Sequence, residues 1–176
     1  MGEEVPFGGS AYFYLLAALL FGRSMDFLST WVGSPKLVLE GNPIAKKLRW
    51  KWAILLNLLI CFVIARWPLP AIIVATMSVL LAARNFELGW LMRTLGEEGF
   101  RSWFVARRAE TPVGLYLFCV YAQGGLLLLV GIVLMLTTGS EQTIPFGIGM
   151  GIVTFAVAVL VYTMLALWRN RRRANY

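Results

Sequence analysis

Five long runs of apolar residues, separated by short polar stretches, organise this chain from near its first residue to near its last. Each run approaches or exceeds the roughly 20 residues that a helix needs to cross a bilayer. We therefore predict an all-α fold: an integral membrane helical bundle of five transmembrane helices, forming a single domain over residues 1–176. The predicted spans are residues 7–32, 43–67, 69–90, 113–137 and 146–168.

The polar stretch of residues 91–112 mixes aromatic and basic side chains. Trp103 and Phe104 lie among Arg101, Arg107 and Arg108. This composition is typical of a segment in the membrane interface, with rings among the headgroups and guanidinium groups near anionic lipid. A plain cytoplasmic connection between two spans is the alternative.

Composition supports a membrane protein. Hydrophobic residues make up 59% of the chain and charged residues 14%, whereas soluble domains are about 25% charged. The N-terminal segment MGEEVPF is acidic, unlike the basic start of a signal peptide, so we expect the first apolar run to be retained as a span.

The basic residues predict the orientation of the bundle. The net charge is +7, and every lysine and arginine except Arg23 and Arg66 falls in one of three clusters. Five spans place all three clusters on one side, which the positive-inside rule makes cytoplasmic. We therefore predict an outside N-terminus, a cytoplasmic C-terminus and the inner membrane of a prokaryote. The clusters are Lys36, Lys46, Lys47, Arg49 and Lys51; Arg84, Arg93, Arg101, Arg107 and Arg108; and Arg169, Arg171, Arg172 and Arg173.

Several kinds of chemistry are excluded by residue type. The chain has no histidine, which removes His-ligated haem, His-based zinc sites and Ser-His-Asp catalysis. Cys61 and Cys119 fall in different spans without CxxC spacing, so neither a disulfide framework nor a zinc site is indicated. Because the basic clusters flank apolar runs, we expect no nucleic-acid partner.

Two charged residues, Arg23 and Asp26, interrupt the first apolar run. A charge at the bilayer centre costs roughly 2.5–3.5 kcal/mol on insertion scales, so these charges require compensation or a function. Helical spacing places Arg23, Asp26 and Thr30 on one face. Polar residues of the next two runs and of the first connection fall at a comparable depth. We predict that these side chains line a polar pocket open to the cytoplasmic leaflet: Arg23, Asp26, Thr30, Glu40, Asn42, Asn57, Arg84, Asn85 and Glu87.

Two short motifs in this region, DFLST and LEGNPIA, carry a family resemblance. The chain resembles a family of small prokaryotic multi-pass membrane proteins of unknown function, whose pattern is Asp-x-x-x-Thr followed by Glu-x-Asn-Pro. The resemblance covers residues 26–45 and brings no activity with it. It implies that five residues act as a group: Asp26, Thr30, Glu40, Asn42 and Pro43.

Three interpretations of this polar set stay open. Arg23 and Asp26 pair with each other, or with Arg84 and Glu87, as interhelical ties. Alternatively, Asp26, Glu40 and Asn42 hold a divalent cation, with Glu87 as a further ligand. In the third interpretation, Arg23, Arg84 and the helix start at Asn42 bind an anionic lipid headgroup.

The predicted function follows from the last two interpretations: a pocket that binds a divalent cation or an anionic headgroup. A non-catalytic accessory or scaffold subunit of a larger membrane complex is the alternative. A small enzyme or transporter acting on a phosphate-bearing lipid or an ion is the second alternative. No spacing specifies a nucleophile or an activated water, so we favour a role without catalysis.

Small residues recur on one stripe of the fifth apolar run, at Gly147, Gly151 and Ala158. Small residues allow two helices in a membrane to approach closely. We expect the stripe to pack within the chain, with a homodimer or a partner subunit as the alternative.

Overall fold

The computed structural model describes residues 4–39 and 43–174, except for the side chains of 43–46, 166 and 169–174. This part of the chain contains six helices and no strand, which confirms the all-α prediction. The helices are α1 (Ser10–Gly33), α2 (Pro43–Ile64), α3 (Pro68–Leu95), α4 (Glu97–Glu110), α5 (Val113–Thr138) and α6 (Thr143–Ala174).

Four stretches of helix among the described residues are long and apolar enough to cross a membrane: α1, α3, α5 and residues Thr143–Leu165 of α6. Large apolar side chains are exposed along them, for example Leu126 and Leu136 on α5. Because water would penalise this surface, the helices are those of a membrane protein.

Helix α2 does not join these four candidates. It carries four basic residues in its first half, and one of them, Arg49, has φ 57° and ψ 176°, which breaks the helix at that residue. The regular helix from 50 to 64 then has about 15 residues, or about 22 Å, which is below the usual crossing length. The five-span count and the orientation of the termini therefore stay predictions.

Helix α3 lies between α1 and α6 and runs parallel to both. A Cβ on Gly22 of α1 would lie 2.9 Å from the carbonyl oxygen of Ala75, and one on Gly33 would lie 2.8 Å from the sulfur of Met92. The second contact lies further towards the C-terminus than the first on both helices, so the two helices are parallel. α1 and α3 therefore stay close from their middles to their C-terminal turns.

The predicted small-residue stripe of α6 packs against α3. A Cβ on Gly147 would lie 2.9 Å from Ile72, and one on Gly151 would lie 2.7 Å from Thr76. Ala158 is half-buried further along the same helix. Gly147 and Gly151 thus lie against α3 of the same chain.

Helix α5 packs antiparallel on the outer side of α6. A Cβ on Gly131 would meet the carbonyl oxygen of Gly149 at 2.8 Å, and one on Gly149 would meet that of Gly131 at the same distance. The two backbones therefore touch here, and no larger residue fits at either position.

The two ends of the bundle differ in charge. One end of the bundle is formed by the 34–39 loop, the start of α2, the last turns of α3 and the whole of α4. We call it the basic end, because it carries most of the described lysines and arginines. At the opposite end, Arg66 forms a 2.6 Å ion pair with Glu4, and the indole of Trp67 donates to the same carboxylate at 3.2 Å.

The segment predicted to lie in the interface, residues 91–112, does not begin where we expected. Its first residues continue α3, and the separate helix α4 begins at Glu97. Helix α3 continues to Leu95 and stops at Gly96, which has φ +71° and separates it from α4. Glycine adopts this left-handed conformation without the strain that a side chain would add.

Replacing Gly131 tests the contact between α5 and α6. We expect Gly131→Ala to lower the free energy of unfolding by about 1–3 kcal/mol, because its Cβ would press on the backbone of Gly149. Gly125→Ala on the same helix is the matched control. Its Cβ would meet nothing within 4 Å, so helix propensity should stabilise it by up to about 1 kcal/mol. Thermal unfolding in detergent measures both, and equal effects would contradict the observed packing.

Candidate functional site

The half-buried guanidinium of Arg23 connects three helices, α1, α2 and α3. Its Nε and Nη2 donate to Oδ1 of Asn57 on α2, at 2.9 and 2.5 Å. Its Nη1 donates to Oδ2 of Asp26 at 2.8 Å and to the hydroxyl of Ser78 on α3 at 3.2 Å. We call these four residues the Arg23 cluster.

Neighbouring backbone groups orient the acceptors of the cluster. The amide nitrogen of Asn57 donates to the carbonyl oxygen of Ala53 at 2.8 Å, which turns its Oδ1 towards Arg23. The hydroxyl of Ser78 donates to Val74 at 2.8 Å, so its oxygen accepts from the guanidinium. Serine and asparagine commonly bond back to their own helix in this way.

A second polar contact joins α1 to α3 nearer the basic end. The amide of Asn85 donates to the hydroxyl of Ser29 at 3.2 Å and approaches that of Thr30 at 3.5 Å. Ser29 is fully buried, and its hydroxyl donates to the backbone of Asp26 at 2.9 Å. Asn85 and Thr30, both members of the predicted polar set, thus lie together in a contact between helices.

Other members of the predicted set are not brought into the Arg23 cluster. Arg84 is half-buried and Glu87 is exposed, and neither forms an ion pair with any described residue. Glu40 and Asn42 lie outside the described residues, so their predicted roles stay predictions. Of the suggested cation ligands, Asp26 and Glu87 are described: the carboxylate of Asp26 pairs with Arg23, and Glu87 is exposed. No group of three histidine, cysteine, aspartate or glutamate side chains converges in the described part of the chain.

The geometry makes the Arg23 cluster an internal tie. A guanidinium has five N–H donors, and the contacts to Asn57, Asp26 and Ser78 use four of them. Beside the cluster lies a cavity of about 60 Å³, lined by Arg23, Phe27 and Asn57 among others. A cavity of this size holds a water molecule or two, and a lipid headgroup is far larger.

A larger cavity, which the sequence did not indicate, lies at the basic end. It is an open groove of about 560 Å³ between the loop after α1 and the junction of α3 with α4. We call it the basic-end groove. Apolar Val38 and Met92 and the basic residues Lys36 and Arg93 line it, together with Glu97 and Glu98.

Glu97 fixes one wall of the basic-end groove. Its carboxylate accepts from the backbone nitrogens of Lys36 at 2.7 Å and Val38 at 2.8 Å, and from the hydroxyl of Ser34 at 2.9 Å. A glycine followed by two glutamates is a recognisable helix start, because carboxylates favour that end of a helix. The partners of Glu97 lie about sixty residues away, and no local signal identifies them.

The pKa of Glu97 is lowered by these contacts. Partial burial acts in the opposite direction and raises the pKa, but the hydrogen bonds from Lys36, Ser34 and Val38 and the positive charge of Lys36 outweigh it. All of these groups favour the ionised carboxylate. The loop is therefore held by a charged glutamate.

Comparison of the chain with protein-family models, with curated proteins and with solved structures finds no match. The resemblance carried by DFLST and LEGNPIA therefore adds no activity to this chain. The geometry of the site has to support any functional assignment.

Removing the amide of Asn57 tests the Arg23 cluster. We expect Asn57→Leu to lower the free energy of unfolding by about 1–3 kcal/mol, because two guanidinium donors lose their acceptor in the interior of the bundle. Gln123→Leu, on the exposed face of α5, is the control and should change stability by less than about 0.5 kcal/mol. Denaturant titration in detergent measures both. Equal losses would show that Asn57 contributes no specific tie.

The lowered pKa of Glu97 predicts a pH-dependent stability. Because the pKa is lower in the folded state, the ionised carboxylate stabilises that state above the ordinary glutamate pKa of about 4.3. This contribution is lost as the pH falls through the lowered value. We therefore expect Glu97→Gln to be less stable than wild type at neutral pH, with the difference shrinking on acidification. Glu98→Gln should track wild type throughout, and a constant difference for Glu97→Gln would refute the charge-based explanation.

Proposed function

We propose that this protein binds the phosphate-bearing headgroup of an anionic lipid in the basic-end groove. The observation that carries the proposal is the groove itself, in which two exposed cations, Lys36 and Arg93, flank the apolar residues Val38 and Met92. A lipid near the membrane surface offers the matching chemistry, an anionic headgroup joined to apolar chains.

The two cations of the groove support an anionic ligand from outside the chain, although the carboxylates of Glu97 and Glu98 line the same groove and Lys36 acts electrostatically on Glu97. Lys36 and Arg93 form no ion pair with any described residue, in contrast to Arg23 and Arg66, which do. The guanidinium carbon of Arg93 lies 5.4 Å from the centre of the Trp31 ring, a cation–π contact that leaves its edge N–H groups able to reach a phosphate.

The proposed setting is the cytoplasmic leaflet of a prokaryotic inner membrane. The positive-inside rule assigns the basic end to that side, where anionic lipids attract basic residues by about 1 kcal/mol each near the surface. A headgroup in the groove would add specific contacts to this general attraction.

A divalent cation at Asp26 is the less supported candidate. The carboxylate is only 13% exposed and pairs with a guanidinium at 2.8 Å, so a cation would compete with an existing positive charge. An accessory-subunit role remains the alternative from a different class, in which the same groove is a connection between helices without a ligand.

Retention of phosphatidylglycerol by the purified protein tests the proposal. We expect the double variant Lys36→Gln/Arg93→Gln to weaken binding by about 2 kcal/mol, or roughly thirtyfold, because it removes two cations from one site. Lys47→Gln/Lys51→Gln is the matched control, since it removes the same charge from exposed positions of the same end. Native mass spectrometry of protein loaded with phosphatidylglycerol measures both.

The outcomes separate the candidates. Equal losses in the two double variants would refute a site in the groove and indicate diffuse attraction. Competition by inorganic phosphate would identify a free anion as the ligand rather than a lipid. A Mg²⁺ adduct lost only in Asp26→Asn would favour the cation candidate. Co-purifying protein chains without any retained lipid would favour the accessory subunit.

A further inference from the structure

Helix α4 is not itself a candidate membrane span, but it connects two candidate spans, α3 and α5. Only Gly96 separates it from the end of α3, and only residues 111–112 separate it from the start of α5. Both neighbours are long and apolar enough to cross a membrane. The two ends of α4 are therefore held at the same membrane surface.

The length of α4 limits its direction. Its 14 residues form a helix about 21 Å long. If the helix stood upright on the membrane, one of its ends would lie far from the span to which it is joined. Since its links to the spans are so short, α4 lies close to the plane of the surface.

The two faces of α4 differ in chemistry. Phe100 is buried against the bundle at 6% exposure, and its ring lies 5.9 Å from those of both Trp103 and Phe104. These two rings are 41% and 40% exposed. Helical spacing places Glu98 and Ser102 on the opposite face. The aromatic face is thus the one directed at the bundle, and its outer part is left uncovered by described residues.

We infer that α4 is embedded in the headgroup layer at the basic end, with the rings of Trp103 and Phe104 at the boundary of the acyl chains. Indole and phenyl rings favour this depth, and arginines beside them reach lipid phosphates. Arg101 is exposed, and Arg108 lies 5.1 Å over the ring of Tyr116 at the start of α5, which keeps its charge at the same level.

This inference goes beyond the proposed headgroup site and does not depend on it. The groove can be empty while α4 lies in the interface, and a lipid can occupy the groove beside a helix that is held in water. The rings of Trp103 and Phe104 do not line the groove, so a test of their depth is independent of lipid retention.

The depth of Phe104 is measured with a nitroxide label. The background is Cys119→Ser, which removes the exposed cysteine, while buried Cys61 stays. Phe104→Cys places the label on the aromatic face, and Ser102→Cys is the matched control on the opposite face. Each labelled protein is put in nanodiscs of phosphatidylcholine and phosphatidylglycerol. Power-saturation spectroscopy then compares its accessibility to oxygen, which concentrates in lipid, and to a water-soluble nickel chelate.

We expect a several-fold higher ratio of oxygen to nickel accessibility at position 104 than at position 102. Equal, nickel-dominated ratios would overturn the inference and make α4 a connection in water. Loss of accessibility to both reagents at 104 would also overturn it, because the aromatic face would then be covered by protein, either this chain or a second copy. Label uptake by the Cys119→Ser parent checks that Cys61 stays unreactive.

Discussion

The rest of the structure depends on how closely α1 approaches α3. Between helices surrounded by lipid there is little hydrophobic attraction, so van der Waals contact and hydrogen bonds hold them together. Gly22 allows that contact because its missing side chain leaves room for the backbone of Ala75. The neighbouring residue in the chain is Arg23, and the same approach brings its guanidinium within 3.2 Å of the Ser78 hydroxyl. The close approach of α1 to α3 is therefore required for the Arg23–Ser78 hydrogen bond as well as for the Gly22–Ala75 contact.

The Arg23 cluster also explains how α2 stays attached to the bundle although it is the least regular of the long helices. Asn57 accepts from Arg23 on one face of α2, Cys61 and Ala65 join the buried core with Tyr12, and the Tyr12 hydroxyl donates to the backbone of Phe62 at 3.2 Å. A break at Arg49 is tolerated because these contacts all lie beyond it.

Periodicity predicted an all-α chain with long apolar helices, and local spacing offered the Arg23–Asp26 pair as one of the pairings left open. Predictions that required distant parts of the chain to meet were less complete. Asn57, 34 residues from Arg23, was in the predicted polar set, but Ser78, the acceptor 55 residues away, was not. The loop held by Glu97 and the groove beside it were missed for the same reason, since their hydrogen bonds span about sixty residues. The helix break at Arg49 was not predicted, because the basic residues around it were interpreted as the charged flank of the second membrane span.

Charge is used in two different ways along the bundle axis. Midway along the bundle, the half-buried guanidinium of Arg23 donates to three protein acceptors, because an unpaired charge within a membrane span is costly. At the basic end, the side chains of Lys36 and Arg93 are exposed, and the carboxylate of Glu97 interacts electrostatically with Lys36. A ligand at Arg23 would have to replace side-chain hydrogen bonds already made, whereas a headgroup at Lys36 and Arg93 would break no ion pair with a described residue. That difference is the physical reason for placing the ligand at the groove and the structural role at the cluster.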